Sequence, residues 1–181
     1  MISSYFRLNF VSCAIALCVF IPQLSWAEKA NFGNFCTALA GHWQGSAAKL
    51  KQHPTQVSVQ AICSADQQQL LVSVSSNANH NLSETWWFRR RGESAFLIYF
   101  DGVNEDKSQS FSLYRQYGSY TLLGEGELNK RPALIQLRFE PKGNGWLWLQ
   151  NVQYLDDDTD RYLFYRGIDM MPVSLAENPR N

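Results

Sequence analysis

The sequence is poor in the residues from which most enzymes and metal centres are built. It holds three histidines and four cysteines in 181 residues. No two histidines stand at a metal-ligand interval and no C-x-x-C pair occurs. No G-x-S-x-G turn is present either, so neither catalysis, a metal nor a cofactor is expected. Excess charge of one sign is lacking too, with 16 Lys and Arg against 16 Asp and Glu. A neutral chain gains little from phosphate contacts, which excludes nucleic acid as the expected partner. Long apolar runs are also missing. The longest, Phe10 to Ile21, spans about 12 residues, whereas a membrane-crossing helix needs roughly 20. No stable membrane anchor is expected.

That run instead forms the middle of an export signal. Residues 1–9 carry Arg7 and no acid, Pro22 stops the run, and Ser25-Trp26-Ala27 sets small residues where a signal peptidase reads them. Leu17 before Cys18 does not fit a lipid-attachment site, and Cys13 comes too early for one. Cleavage after Ala27 leaves 154 residues with a net charge of −1, a normal size for one domain. The expected layout is a signal over 1–27, a single domain over 28–173 and a loose tail over 174–181. The working protein is expected outside the cytoplasm, periplasmic or secreted. Cys13 and Cys18 leave with the signal, so Cys36 and Cys63 remain as an even pair in an oxidising compartment. A disulfide is the expectation, worth about 3–4 kcal/mol on the chain-entropy account.

What the mature chain does have is period-two alternation. Residues 30–40 suit one short helix with Phe32, Phe35, Cys36 and Leu39 on one face. Strands are expected at 43–51, 57–64, 70–76, 83–90, 95–101, 108–115, 120–128, 133–140, 145–154 and 161–168. Gly, Pro, Asn and Asp clusters separate them, among them Tyr117-Gly118-Ser119 and Asn129-Lys130-Arg131-Pro132. Links this short leave no room for crossover helices, so the sheet must be antiparallel. Closure into an up-and-down barrel of eight to ten strands removes its edges. An open sandwich is the competing architecture.

The helix followed by Gly41-His42-Trp43 at the start of the first strand resembles the G-x-W opening of the lipocalin and calycin barrels. The resemblance implies that Trp43 plugs the closed end and that a late-strand Arg, here Arg166, packs across it. No T-D-Y motif follows in the later strands. The likeness is therefore to a calycin-like barrel rather than to the classical lipocalins.

The remaining candidates are surface features or lining. Glu125 and Glu127, between Gly124, Gly126 and Leu128, read as the solvated face of a strand. Asp156, Asp158 and Asp160 imitate the first ligands of a calcium loop, but Arg161 and Gly167 stand where that loop needs Gly and Glu. In Trp86-Trp87-Phe88-Arg89-Arg90-Arg91, alternation puts Trp86, Phe88 and Arg90 on one face and Trp87, Arg89 and Arg91 on the other. Trp146, Trp148, Val152 and Tyr154 share a face, with Gln150 between them. Phe96 and Ile98 share another, opposite Leu97 and Tyr99. Side chains of this size either line a pocket or fill the barrel. The expected lining is Phe88, Phe96, Ile98, Tyr99, Trp146 and Trp148. The function this suggests is non-catalytic binding of a small hydrophobic or amphipathic molecule. A solid-cored effector or inhibitor acting on a macromolecule, or a carbohydrate-binding module, are the alternatives. Parity stays open, because one bulge reverses it.

Overall fold

The computed structural model describes residues 27–76, 83–158 and 160–173. The expected signal up to Trp26, the expected turn at Asn77-Ala78-Asn79, His80 and the expected tail from Ser174 lie outside the described residues. Two residues form β1 (Glu28–Lys29), followed by α1 (Phe32–Leu39). Ten strands follow: β2 (Gly41–Lys49), β3 (Thr55–Cys63), β4 (Gln69–Ser76), β5 (Ser83–Arg91), β6 (Ser94–Phe100), β7 (Lys107–Gln116), β8 (Ser119–Leu128), β9 (Arg131–Lys142), β10 (Gly145–Tyr154) and β11 (Leu163–Pro172). Each strand from β3 to β11 pairs antiparallel with its predecessor. β11 returns to β2, so ten strands close on themselves. The barrel is the expected architecture, and closure rules out the open sandwich.

The reversals follow from local backbone chemistry. Tyr117-Gly118 and Asn129-Lys130 have positive φ at both turn residues, the geometry whose twist matches two antiparallel strands. The helix starts because Asn31 Oδ1 accepts hydrogen bonds from the Gly33 and Asn34 amides, and a capped helix end loses fewer unpaired donors. Phe32, Phe35, Cys36 and Leu39 turn inward together. Phe35 is wholly buried and meets Phe88, Tyr120 and Phe139 edge-on at 5.2–5.7 Å. Burying such a ring contributes about 1.5–3 kcal/mol. A disulfide joins Cys36 to Cys63 at the end of β3, with a Cα–Cα distance of 5.3 Å, pinning the plug to the wall.

The barrel is therefore solid at the helix end. Leu70, Phe88, Leu122, Leu137, Phe139 and Trp148 fill it, around a small apolar void of about 20 Å3 among Val59, Phe88, Phe139, Met170 and their neighbours. That space is walled almost wholly by carbon and holds at most one water.

Candidate functional site

The other half of the barrel is open. A cavity of about 1590 Å3 begins above Trp86 and runs to the mouth. Leu97, Phe111, Ile135 and Leu137 line its inner apolar wall and Glu84, Tyr99, Gln150 and Arg166 its floor, while polar side chains such as Gln109, Ser108, Lys107 and Lys130 line the groove and mouth. Its lining takes both inward residues of β7 (Gln109, Phe111) and outward ones (Ser110, Ser112), so the space crosses the wall there. The volume therefore includes an outer groove as well as the interior.

The floor is built by a bulge. Gln150 of β10 stands opposite Arg166, but Asn151 already stands opposite Phe164, so β11 carries one extra residue, Tyr165. A bulge re-aims the side chains beside it. Here Arg166 turns inward to the floor, while Tyr165 packs against the cluster of Leu128, Ala133 and Val152. Arg166 Nε donates to Gln150 Oε1 and Nη1 to Glu84 Oε2, each at 2.7 Å. Its guanidinium carbon lies 4.5 Å from the Trp86 ring centre, 5.1 Å from Tyr99 and 5.6 Å from Trp148. Three aromatic faces thus replace the water a cation would otherwise keep. The cation is deeper than its partner: the Arg166 side chain is 16% exposed and that of Glu84 36%.

Hydrogen-bond donors outnumber acceptors in this layer. A guanidinium carries five N–H groups, and the bonds to Gln150, Glu84 and the Tyr99 oxygen use three. Trp86 Nε1 reaches Glu84 Oε2 at only 3.4 Å, and behind Arg166 the buried Trp148 Nε1 has no partner among the described residues. Burial pushes the Tyr99 phenol up to about 12, against the pull of Arg166, so it stays a protonated donor at neutral pH.

The expected site residues fall into three groups. Tyr99 lines the open cavity, whereas Trp148 lies behind Arg166 in the filled half. Phe88 and Trp146 face inward but sit in the filled half, against Phe35 and Tyr120 respectively. Phe96 lines the outer part of the open cavity, where it crosses the wall, rather than the interior, and Ile98 does not line it. β6 turns Leu97 and Tyr99 inward, and the outward Phe96 ring lies under Arg91 at 3.7 Å. The Trp43–Arg166 contact is also corrected. Trp43 pairs with Pro172 and Arg166 with Lys49, six positions along the strand, or about 20 Å. Trp43 donates instead to the Leu39 carbonyl of the plug helix, and Arg166 serves the opposite half. Sequence reasoning missed Glu84 and Gln150, although the inward alternation of Gln150 among Trp146, Trp148 and Val152 was a usable signal.

The other charged groups are accounted for on the surface. Arg131 takes both Asp156 and Asp157 at 2.7–2.8 Å, which fits a solvated hairpin rather than a calcium loop. Arg89 lies over Trp87 at 4.8 Å, a cation stem covering the outer wall. Among the described residues no cluster of three His, Cys, Asp or Glu side chains could hold a metal, and no helix is long and apolar enough to cross a membrane. The fold and floor define a class, a closed ten-stranded antiparallel barrel with one end filled and one end hollow. Beyond that class, no family model and no curated protein matches the chain.

Proposed function

We propose that this is an exported, calycin-like barrel that binds a small amphipathic molecule in its open half, without catalysis. The observation that carries the reading is an interior stretch of apolar wall, Leu97, Phe111, Ile135 and Leu137, set directly against the polar cluster of Arg166, Glu84, Gln150 and Tyr99 at the floor. Small-molecule sites pair those two features, the apolar wall giving affinity and a few polar groups fixing orientation. Bracing alone is a weak reason for an inward arginine, because a charge taken out of water costs several kcal/mol before its partners offset it and an apolar side chain there would pack at less cost. The export signal and the Cys36–Cys63 bond fit a protein that works outside the cytoplasm.

Native mass spectrometry of the mature protein, purified gently from its own compartment, tests this against the same sample denatured. An added mass of a few hundred Da, seen only in the native spectrum, supports a carried ligand of the size such pockets hold. A bare mass, together with no change in tryptophan fluorescence on titration with single-chain amphiphiles, would move the reading to the interaction protein. Trp86 lines the floor, so binding there should be visible in its emission.

A further inference from the structure

Resting on that reading, we propose that the head group of the ligand is a carboxylate and that Glu84 is its resident stand-in on Arg166. The ligand is then a single-chain anionic amphiphile, its tail lying along Leu97, Phe111, Ile135 and Leu137 and its head replacing the Glu84 carboxylate. Three observations support the exchange.

The first is the donor surplus. The guanidinium has five N–H groups, and its bonds to Gln150, Glu84 and the Tyr99 oxygen use three, leaving two for a further acceptor beside the Trp86 indole and the Tyr99 hydroxyl. Buried donors left without acceptors are costly, and oxygen acceptors on a ligand would satisfy them. A cationic head would add donors to a layer already rich in them.

The second is the contrast between the two halves of the ion pair. Arg166 is fixed by the bulge, by Gln150 and by three rings, whereas Glu84 sits one residue into β5 and is more than twice as exposed. The cation is therefore built in, while the anion reaches it from the mouth side and can swing back into water.

The third is geometry. Glu84 uses one oxygen, Oε2, on one nitrogen, Nη1. A free carboxylate can take the arginine fork with both oxygens, the stronger arrangement. No bond is made or broken in the exchange. One carboxylate leaves the guanidinium as another arrives, and the net charge of the floor is unchanged once Glu84 is hydrated.

The test compares dodecanoate, dodecanol and dodecyltrimethylammonium, three probes with one tail and three heads, by calorimetry and tryptophan fluorescence. It uses the wild-type mature protein, Glu84→Gln and Arg166→Met. Dodecanoate should bind the wild type best of the three. Glu84→Gln should tighten dodecanoate by about tenfold, the scale of one charge-assisted hydrogen bond, and leave dodecanol within about twofold. Arg166→Met should weaken dodecanoate by at least tenfold and dodecanol little. If Arg166→Met does not fold, judged by circular dichroism, the Glu84→Gln result decides alone. Dodecanoate affinity unchanged in Glu84→Gln, or preference for the ammonium or the alcohol, overturns the carboxylate assignment while leaving the pocket. If none of the three probes binds wild type or Glu84→Gln, the pocket reading itself fails.

Discussion

Arg166 sits over the indole of Trp86 with 4.5 Å between guanidinium carbon and ring centre, and from that position its Nη1 reaches Glu84. The arrangement joins β11 to β5 across the interior, between strands that do not pair. It acts as a polar cross-brace in a barrel whose walls are otherwise held by neighbouring strands.

That brace should be visible in stability. Arg166→Ala removes the cation from three rings and leaves Glu84 and Gln150 without their donor. A loss of about 2–3 kcal/mol is expected, from the lost ring contacts and hydrogen bonds, since the half-exposed Glu84 can hydrate once Arg166 is gone. Arg166→Met keeps much of the stem packing and should cost less. The double variant Arg166→Met with Glu84→Gln should cost less than the sum of the two single changes, because the orphaned carboxylate is gone. Urea unfolding of the four proteins at one pH measures all three statements.

The strands were legible because their period-two runs are punctuated by residues with a steric reason to turn. Asn129-Lys130 and Tyr117-Gly118 lie where reversal was expected, and both adopt the positive φ of a tight hairpin. The plug helix was legible from the spacing of Phe32, Phe35, Cys36 and Leu39. Facing was not. Leu97 and Tyr99 point inward rather than Phe96 and Ile98, and either set has the size and apolarity for a lining. The floor was not legible either, because it depends on the extra residue in β11 and on a partner, Glu84, 82 positions away from Arg166. Local alternation carries no information about which residues a bulge will re-aim. The same limit explains the misplaced Trp43–Arg166 contact, since strand register sets the two at opposite ends.

Tyr99 offers a check on the dryness of the floor. Burial raises its phenol to about 12 from an ordinary value of 10. The folded state thus holds the proton more tightly than the unfolded chain. Between those values the native protein binds more protons, so stability should fall as pH rises from 10 towards 12. Titration of the phenolate absorbance should show a late step near pH 12 that Tyr99→Phe removes. A Tyr99 that ionises near pH 10 would mean that water reaches the layer freely.

The plug should depend on its disulfide. Cys36 and Cys63 are 27 positions apart, and replacing both by Ala frees the unfolded chain to sample more states. The expected cost is about 3–4 kcal/mol. The oxidised protein should weigh about 2 Da less than the reduced one, the two thiol hydrogens given up to the S–S bond. Chemical unfolding with and without reductant measures the first, and intact mass the second. Equal midpoints under both conditions would mean that α1 is held by Phe35 and its aromatic neighbours alone.

The wall is weakest between β7 and β8, and glycine decides how. β8 stays paired with β9 as far as Leu128↔Arg131, and β7 with β6 as far as Tyr99↔Lys107, but β7 and β8 stop pairing at Ser112↔Leu123. Beyond that point Gln109 Nε2 donates to the Glu125 carbonyl at 3.1 Å, a side chain taking the place of a ladder bond. At Gly124 an added Cβ would strike the Ser110 backbone carbonyl, whereas at Gly126 it would meet only the end of the Gln109 side chain. A backbone cannot yield as a flexible amide can. Gly124→Ala should therefore cost about 1–3 kcal/mol through forced separation of the strands. Gly126→Ala should cost less than about 1 kcal/mol and break mainly the Gln109 bond, worth roughly that amount. Amide exchange should follow the same order. In the wild type, β8 amides beyond Leu123 that face β7 should exchange faster than those over 119–123, because opening there breaks one side-chain bond rather than a ladder. Gly126→Ala should speed exchange in that stretch alone. Uniform protection along β8 in both proteins would show that the seam is as firmly closed as the rest of the barrel, and that ligands can enter only through the mouth.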